Sequence, residues 1–269
     1  MSDRWASIAQ KAYVTIFLLV LYLPLATLIA LSFNNSRIIG FPWEGFTLRW
    51  YRQVIESRAL AEAFLNSILV GAAAAAIATA LAAALGLGFR HEFRLKNLLF
   101  YAIVSPIVLP GIAGGVLLLL FFALAGVPPK LFTTVLVAHV NWVLPFAFLV
   151  LYPRLARIDS ALEDAARDLG ATDLQVFLRV IWPTMRPAAA ATFLFALSLS
   201  FDEFIRTIFV LGGERTLPVY FWILVIEELT PELPAMATTI VIVTVCLSAL
   251  AHTFLQFSKG GGANETQRG

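Results

Sequence analysis

Six stretches of this chain are long and apolar enough to cross a bilayer, and that pattern constrains the fold more than any other feature. A spanning helix needs about 20 mainly apolar residues. The stretches fall at roughly 13–33, 64–89, 98–125, 131–152, 188–211 and 234–257. Hydrocarbon offers no partner to a backbone N–H or C=O, so each stretch closes its own hydrogen bonds as a helix. The expected fold is all-α and polytopic. Residues 1–12 precede a membrane domain at 13–257, and a Gly-rich polar tail occupies 258–269. Only 13% of residues are charged, about half the share of a soluble domain. The single cysteine, Cys246, sits in the last span, which excludes an intramolecular disulfide.

Basic residues set the expected orientation. With the N-terminus inside, twelve Lys and Arg fall in cytoplasmic segments and six on the opposite side, the bias of a chain with both termini in the cytoplasm. Tyr13 to Phe33 is longer than the apolar core of a secretory signal and has no small-x-small site behind it, so an uncleaved anchor is expected. Outside the membrane, Thr47 to Ala63 predicts a helix lying in the interface, with Trp43, Trp50 and Tyr51 in an aromatic belt. This surface either receives a partner protein or is a plain strap. Thr216 to Leu229 is apolar but too short to span.

Within the spans, the second is dense in alanine and glycine from Gly71 to Gly88, which predicts close helix–helix contact. The third is interrupted by Pro106, Pro110, Gly111, Gly114 and Gly115. Broken backbone at that depth needs a neighbour or a water-filled cavity, so Pro110 and Gly111 are candidates to flank a pathway. The fourth span holds His139, Asn141 and Trp142, polar groups that glue helices or line a pathway. The fifth carries Asp202, Glu203 and Arg206, an ionisable cluster that lipid penalises and function retains. At i, i+3 and i, i+4 spacing Arg206 neutralises one acid on the same helix. The second acid then favours cationic groups on a solute or pairs with another chain.

The polar loop between spans four and five, 153–187, reads as a docking element. Ser160 stands three before Glu163 and Thr172 three before Gln175, the spacing of two capping boxes. Gly170 predicts a left-handed stop between two helices and Pro183 the end of the second. Leu162, Ala165, Ala166 and Leu169 form an apolar stripe on the first helix; Leu174, Phe177, Leu178 and Ile181 form one on the second. The run resembles the EAA loop of bacterial ABC-transporter permeases: Asp164-Ala165-Ala166 fills the Glu-Ala-Ala triplet, Gly170 falls at the required offset, and Val180-x-Trp182-Pro183 closes the pattern. The departures are Asp for Glu, Val for Ile and Trp for Leu.

The resemblance extends along the chain through Ser32-Phe33-Asn34, Gly45-Phe46-Thr47, Trp50-Tyr51, Pro106 to Gly115, Ser200-Phe201-Asp202-Glu203-Phe204 and Thr216-Leu217-Pro218. In this combination the chain is similar to permeases of the spermidine/putrescine importer branch, more to the second than to the first of their two permease subunits. The resemblance implies a type I importer fold with six transmembrane helices in a bacterial inner membrane. It implies a second homologous permease subunit, two copies of a cytoplasmic ATPase and a periplasmic solute-binding protein, with no nucleic-acid partner. Glu163, Asp164, Ala165, Ala166, Leu169 and Gly170 would couple to the ATPase, and the solute would be a polyamine or a related opine or amino compound. No cofactor is expected on this chain. It has no Gly-x4-Gly-Lys-[Ser/Thr] loop, so ATP and Mg²⁺ belong to the partner. His91, His139 and His252 lie on separate segments without His-Glu-x-x-His or Gly-x-Ser-x-Gly, which argues against an enzyme. The alternative is a stand-alone secondary transporter or channel for a small cationic solute. Copurification of an ATPase separates the two, and the lack of an obvious repeat between the chain's halves disfavours the carrier.

Overall fold

The computed structural model describes residues 2–227, 230–242 and 244–245. Among these residues the chain is helical without strands, and an isolated antiparallel bridge joins Asn34 to Phe46. The described residues form two compact units, 2–61 with 221–245, and 62–220.

In the first unit, α1 (Ser2–Leu31) is apolar all round from Ala12 onward, and its stretch from Gln10 leaves its large side chains unburied, as suits a lipid-facing helix. A strap at 32–48 follows and is organised by Asn34. Its amide oxygen accepts from the Glu44 N–H at 2.9 Å, its amide NH₂ donates to the Gly40 carbonyl at 3.0 Å, and its own carbonyl accepts from Trp50 Nε1 at 2.8 Å. Trp50 is therefore a buried peg at the start of α2 (Arg49–Glu56), not the belt residue expected from sequence. A partner for the indole N–H inside the strap outweighs the interface preference of the ring. The single interfacial helix expected over 47–63 is instead α2 followed, after Ser57, by α3 (Arg58–Gly88).

The second unit carries the core. From residue 62, α3 packs with α6 (Leu136–Leu155) and α9 (Trp182–Phe201) around Ala75, Ala78, Ala82, Val143, Phe148, Leu151 and Ala196. The small residues permit the close approach expected of them: a Cβ on Gly86 would stand 2.7 Å from Leu155 Cδ1. The third apolar stretch is not one helix. It is α4 (Lys96–Val108) and α5 (Gly111–Leu124), bent by 109° across Leu109 and Pro110. Proline at 110 can neither donate to the ladder nor fit behind the carbonyl four residues earlier. A π-helical turn, Leu131–Val135, leads into α6.

The polar loop 153–187 holds α7 (Ser160–Asp168) and α8 (Asp173–Val176). Pro183 does not end the second of these. The chain continues through a π-helical turn, Phe177–Ile181, directly into α9, and the helical run Asp173–Phe201 is 29 residues long. The widened turn gives the ladder the slack that Pro183 requires, so the rod survives. It stops at Phe201, short of the expected 211, and resumes as a single turn, α10 (Thr207–Val210). The segment beyond holds α11 (Leu217–Glu227), 11 residues and so roughly half the length needed to span. Four described helices are long and apolar enough to cross a membrane, five if α4 and α5 form one broken span. The sixth expected stretch begins with α12 (Leu233–Ile242) and then passes, with Cys246, His252 and the tail 258–269, outside the described residues.

Candidate functional site: a loop helix pair and a buried polar knot

The pair α7–α8 is built by local chemistry. Asp159, not Ser160, caps α7, accepting from the Ala161 N–H at 2.9 Å. The expected Ser160–Glu163 box does not form because Glu163 turns inward to a distant partner. The second box forms fully: the Gln175 N–H donates to Thr172 Oγ1 at 3.4 Å, and the Thr172 N–H to Gln175 Oε1 at 2.9 Å. Between them Gly170 takes φ +86°. Its N–H bonds the Arg167 carbonyl at 2.8 Å and the Ala171 N–H bonds the Ala166 carbonyl at 3.0 Å, the two bonds of a Schellman stop.

The sequence-predicted residues divide between two faces. Ala166, Phe177 and Ile181 meet the core, while Leu162, Leu174 and Leu178 are exposed and Leu169 is 90% exposed. Ala165 and Asp164 also face out. The result is a leucine-rich surface with the Asp164 carboxylate among its leucines. Arg167 spans the pair, reaching Asp164 at 3.2 Å and Asp173 at 3.3 Å. The hydrogen bond it donates to the Asp173 carboxylate is the chief cause that raises its pKa above the usual guanidinium value. The neighbouring acids behave oppositely: the side chain of Asp164 is 69% exposed and that of Glu163 only 10%. Glu163 pairs with Arg90, which follows α3 directly and also donates to the Ile158 carbonyl at 3.0 Å. In the sequence Arg90 counts only toward charge bias, because no local pattern links it to a carboxylate 73 positions on.

The polar knot lies where α9 breaks. Glu203 and Arg206 are buried and joined twice: Oε1 accepts the Arg206 N–H at 2.7 Å and Oε2 lies 3.2 Å from Nη1. The guanidinium stacks on Trp142, 3.8 Å from the ring centroid. His139 staples the break, with Nδ1 2.6 Å from Ser200 Oγ and Nε2 2.8 Å from Thr207 Oγ1. Thr207 already donates its hydroxyl proton to the Glu203 carbonyl at 2.9 Å. Nε2 is therefore the protonated nitrogen, and Nδ1 accepts from Ser200. The ring at 139, named in the sequence beside Asn141 and Trp142, holds the cluster together, whereas Asn141 is exposed beside it. Gly111 and Gly115 of the elbow lie against residues of the same segment: a Cβ on Gly111 would stand 3.1 Å from Ile205 Cγ2, and one on Gly115 would overlap the Phe209 ring. Pro110 is exposed at the elbow's corner. Asp202 is the remaining acid, exposed and without an ion pair among the described residues.

Comparison with known proteins gives a consistent family. Residues 76–258 match the family described as binding-protein-dependent transport system inner membrane component. Over 245 residues the chain is 30% identical to the spermidine/putrescine transport system permease protein PotC of Haemophilus influenzae, covering 90% of this chain and 95% of that protein. It is 36% identical over 228 residues to the putrescine transport system permease protein PotI of Escherichia coli K12, covering 82% of this chain and 81% of that protein. The fold resembles a chain of a bacterial ABC transporter that imports the acidic polysaccharide alginate. The TM-score is 0.74 at 17% identity, covering 94% of this chain and 98% of that one.

Proposed function

We propose how this chain, which belongs to the family of binding-protein-dependent transport system inner membrane components, moves a solute. It is a permease, an inner-membrane transport protein rather than an enzyme, working with a solute-binding protein. Its solute is a small amine-bearing molecule of the polyamine type. The names of its relatives support this reading, and so does the lone negative charge at Asp202 beside the neutralised Glu203–Arg206 pair. Asp202 and Trp142 face the solute path, and the α4–α5 elbow with Pro110 and Gly111 borders it. Arg206 and Glu203 set the local charge rather than bind.

Energy comes from ATP and Mg²⁺ on two copies of a cytoplasmic ATPase, and the pathway is completed by a second homologous permease. Both termini lie in the cytoplasm. The receptor delivers solute to the outer face, ATP draws the two ATPases together, and their motion enters this chain through α7 and α8. The observation that carries the coupling reading is the exposed leucine face of that pair, with Asp164 within it, which a partner surface would cover. The test is uptake by the reassembled importer in proteoliposomes with Gly170→Trp or Asp164→Arg in this chain. Either change should abolish ATPase copurification or uptake while the protein still inserts, and uptake equal to the unchanged chain removes the loop from the mechanism.

A further inference from the structure

The pair α7–α8 is joined to α6 and α9 by the chain itself, through residues 156–159 and the π turn 177–181. Its link to α3 is different. Arg90 stands two residues beyond the end of α3 and holds two points of the cytoplasmic element at once: the Glu163 carboxylate on α7 and the Ile158 carbonyl in the linker. Both charged side chains are nearly buried, at 11% and 10% exposure. Arg90 is itself firmly seated. Its neighbour Phe89 is buried against Phe148 and Tyr152 of α6, with ring centroids 5.1 and 5.8 Å away. Beside the pair lies an open cleft of about 410 Å³ lined by His91, Lys96, Tyr152, Ser160 and Arg167. The end of α7 nearest α3 is thus tied to it by a nearly buried ion pair with open space alongside.

A two-pronged guanidinium fixes orientation as well as distance. We propose that Arg90, through Glu163 and the Ile158 carbonyl, is the positioning residue that transmits displacement of the coupling helix α7 to the transmembrane helix α3. The inference rests on the coupling reading above and deepens it: Asp164 and the leucines face the motor, and Glu163 faces the membrane domain. Rupture of the pair leaves the ATPase-facing surface intact, so the importer still assembles and hydrolyses ATP while transport fails. A residue needed only for folding would lose assembly and transport together.

The experiment uses the assembled importer in proteoliposomes, with putrescine-loaded receptor on one side and ATP on the other. Copurification, ATP hydrolysis and uptake are measured for R90E, E163R, the double variant R90E/E163R and the conservative R90K. Each single reversal is expected to retain the ATPase and its basal hydrolysis while uptake falls about tenfold or more, as befits a buried charge facing its like. The double variant regains uptake severalfold over either single, and R90K retains more than R90E. Uptake at the unchanged level in R90E, or a double variant no better than its parents, overturns the assignment. So does loss of assembly in every variant including R90K. D164R in the same preparation separates the two readings: if it abolishes uptake while R90E does not, only the Arg90 assignment fails; if neither matters, the coupling reading fails as well.

Discussion

Gly170→Ala isolates the turn on which the α7–α8 pair is built. The residue sits at φ +86°, and a Cβ there would meet nothing within 4 Å. The penalty is therefore conformational rather than steric: an L side chain in the left-handed region costs about 1–2 kcal/mol. That corresponds to a roughly 5- to 30-fold rise in the population of the opened turn. The amides that report it are those of Gly170 and Ala171, bonded to the Arg167 and Ala166 carbonyls. Hydrogen exchange followed by mass spectrometry, on the assembled protein in detergent, should show the 166–172 segment exchanging faster by that factor. Gly170→Asn, which tolerates the left-handed region, should fall between the two. Protection in Gly170→Ala equal to that of the unchanged chain would refute the reasoning, as would Asn exchanging faster than Ala.

Gly115→Ala drives a Cβ into the Phe209 ring; overpacking of about 1–3 kcal/mol should lower the melting temperature, and Phe209→Leu in the same chain should restore much of it. Glu203→Gln or Arg206→Met leaves a buried partner uncompensated and should cost about 3–5 kcal/mol, while the double change should cost less than either, as read by denaturation in detergent. Thr172→Ala removes the Oγ1 that accepts the Gln175 N–H in the α8 capping box and should destabilise the local helix by about 1 kcal/mol, seen as faster exchange at 173–176. Asp202→Asn should lower putrescine uptake in proteoliposomes with no change in melting temperature, since its carboxylate is exposed; unchanged uptake would remove it from the path.

Short-range signals in the sequence carried far, and the misses share a cause. Thr172 with Gln175, and Gly170 as a stop, are visible because their partners lie within five residues. The break at Pro110 is visible for the same reason. Ser160 misleads because Glu163, which should reach back to it, is claimed by Arg90 from just beyond the end of α3. Trp50 misleads because the Asn34 carbonyl captures its N–H across the strap. Pro183 marks a helix end by rule, but a π turn absorbs the proline without interrupting the rod. The end of α9 at Phe201 is hidden because nothing between Ser200 and Thr207 is a breaker. The turn there is stabilised by side chains, among them His139 from α6. Spacing showed that Arg206 could neutralise one acid, and burial decides that the acid is Glu203.

That unbroken rod has a mechanical corollary. Its 29 residues extend about 44 Å at 1.5 Å per residue, with the α7–α8 knuckle at one end and the Asp202 turn at the other. Were it stopped at Pro183, a nudge at its foot would dissipate in a loose joint. As a stiff crank it carries a tilt of only about 5° into a sweep of about 4 Å at the far tip, by simple trigonometry on that length, comparable to the width of a methylene chain.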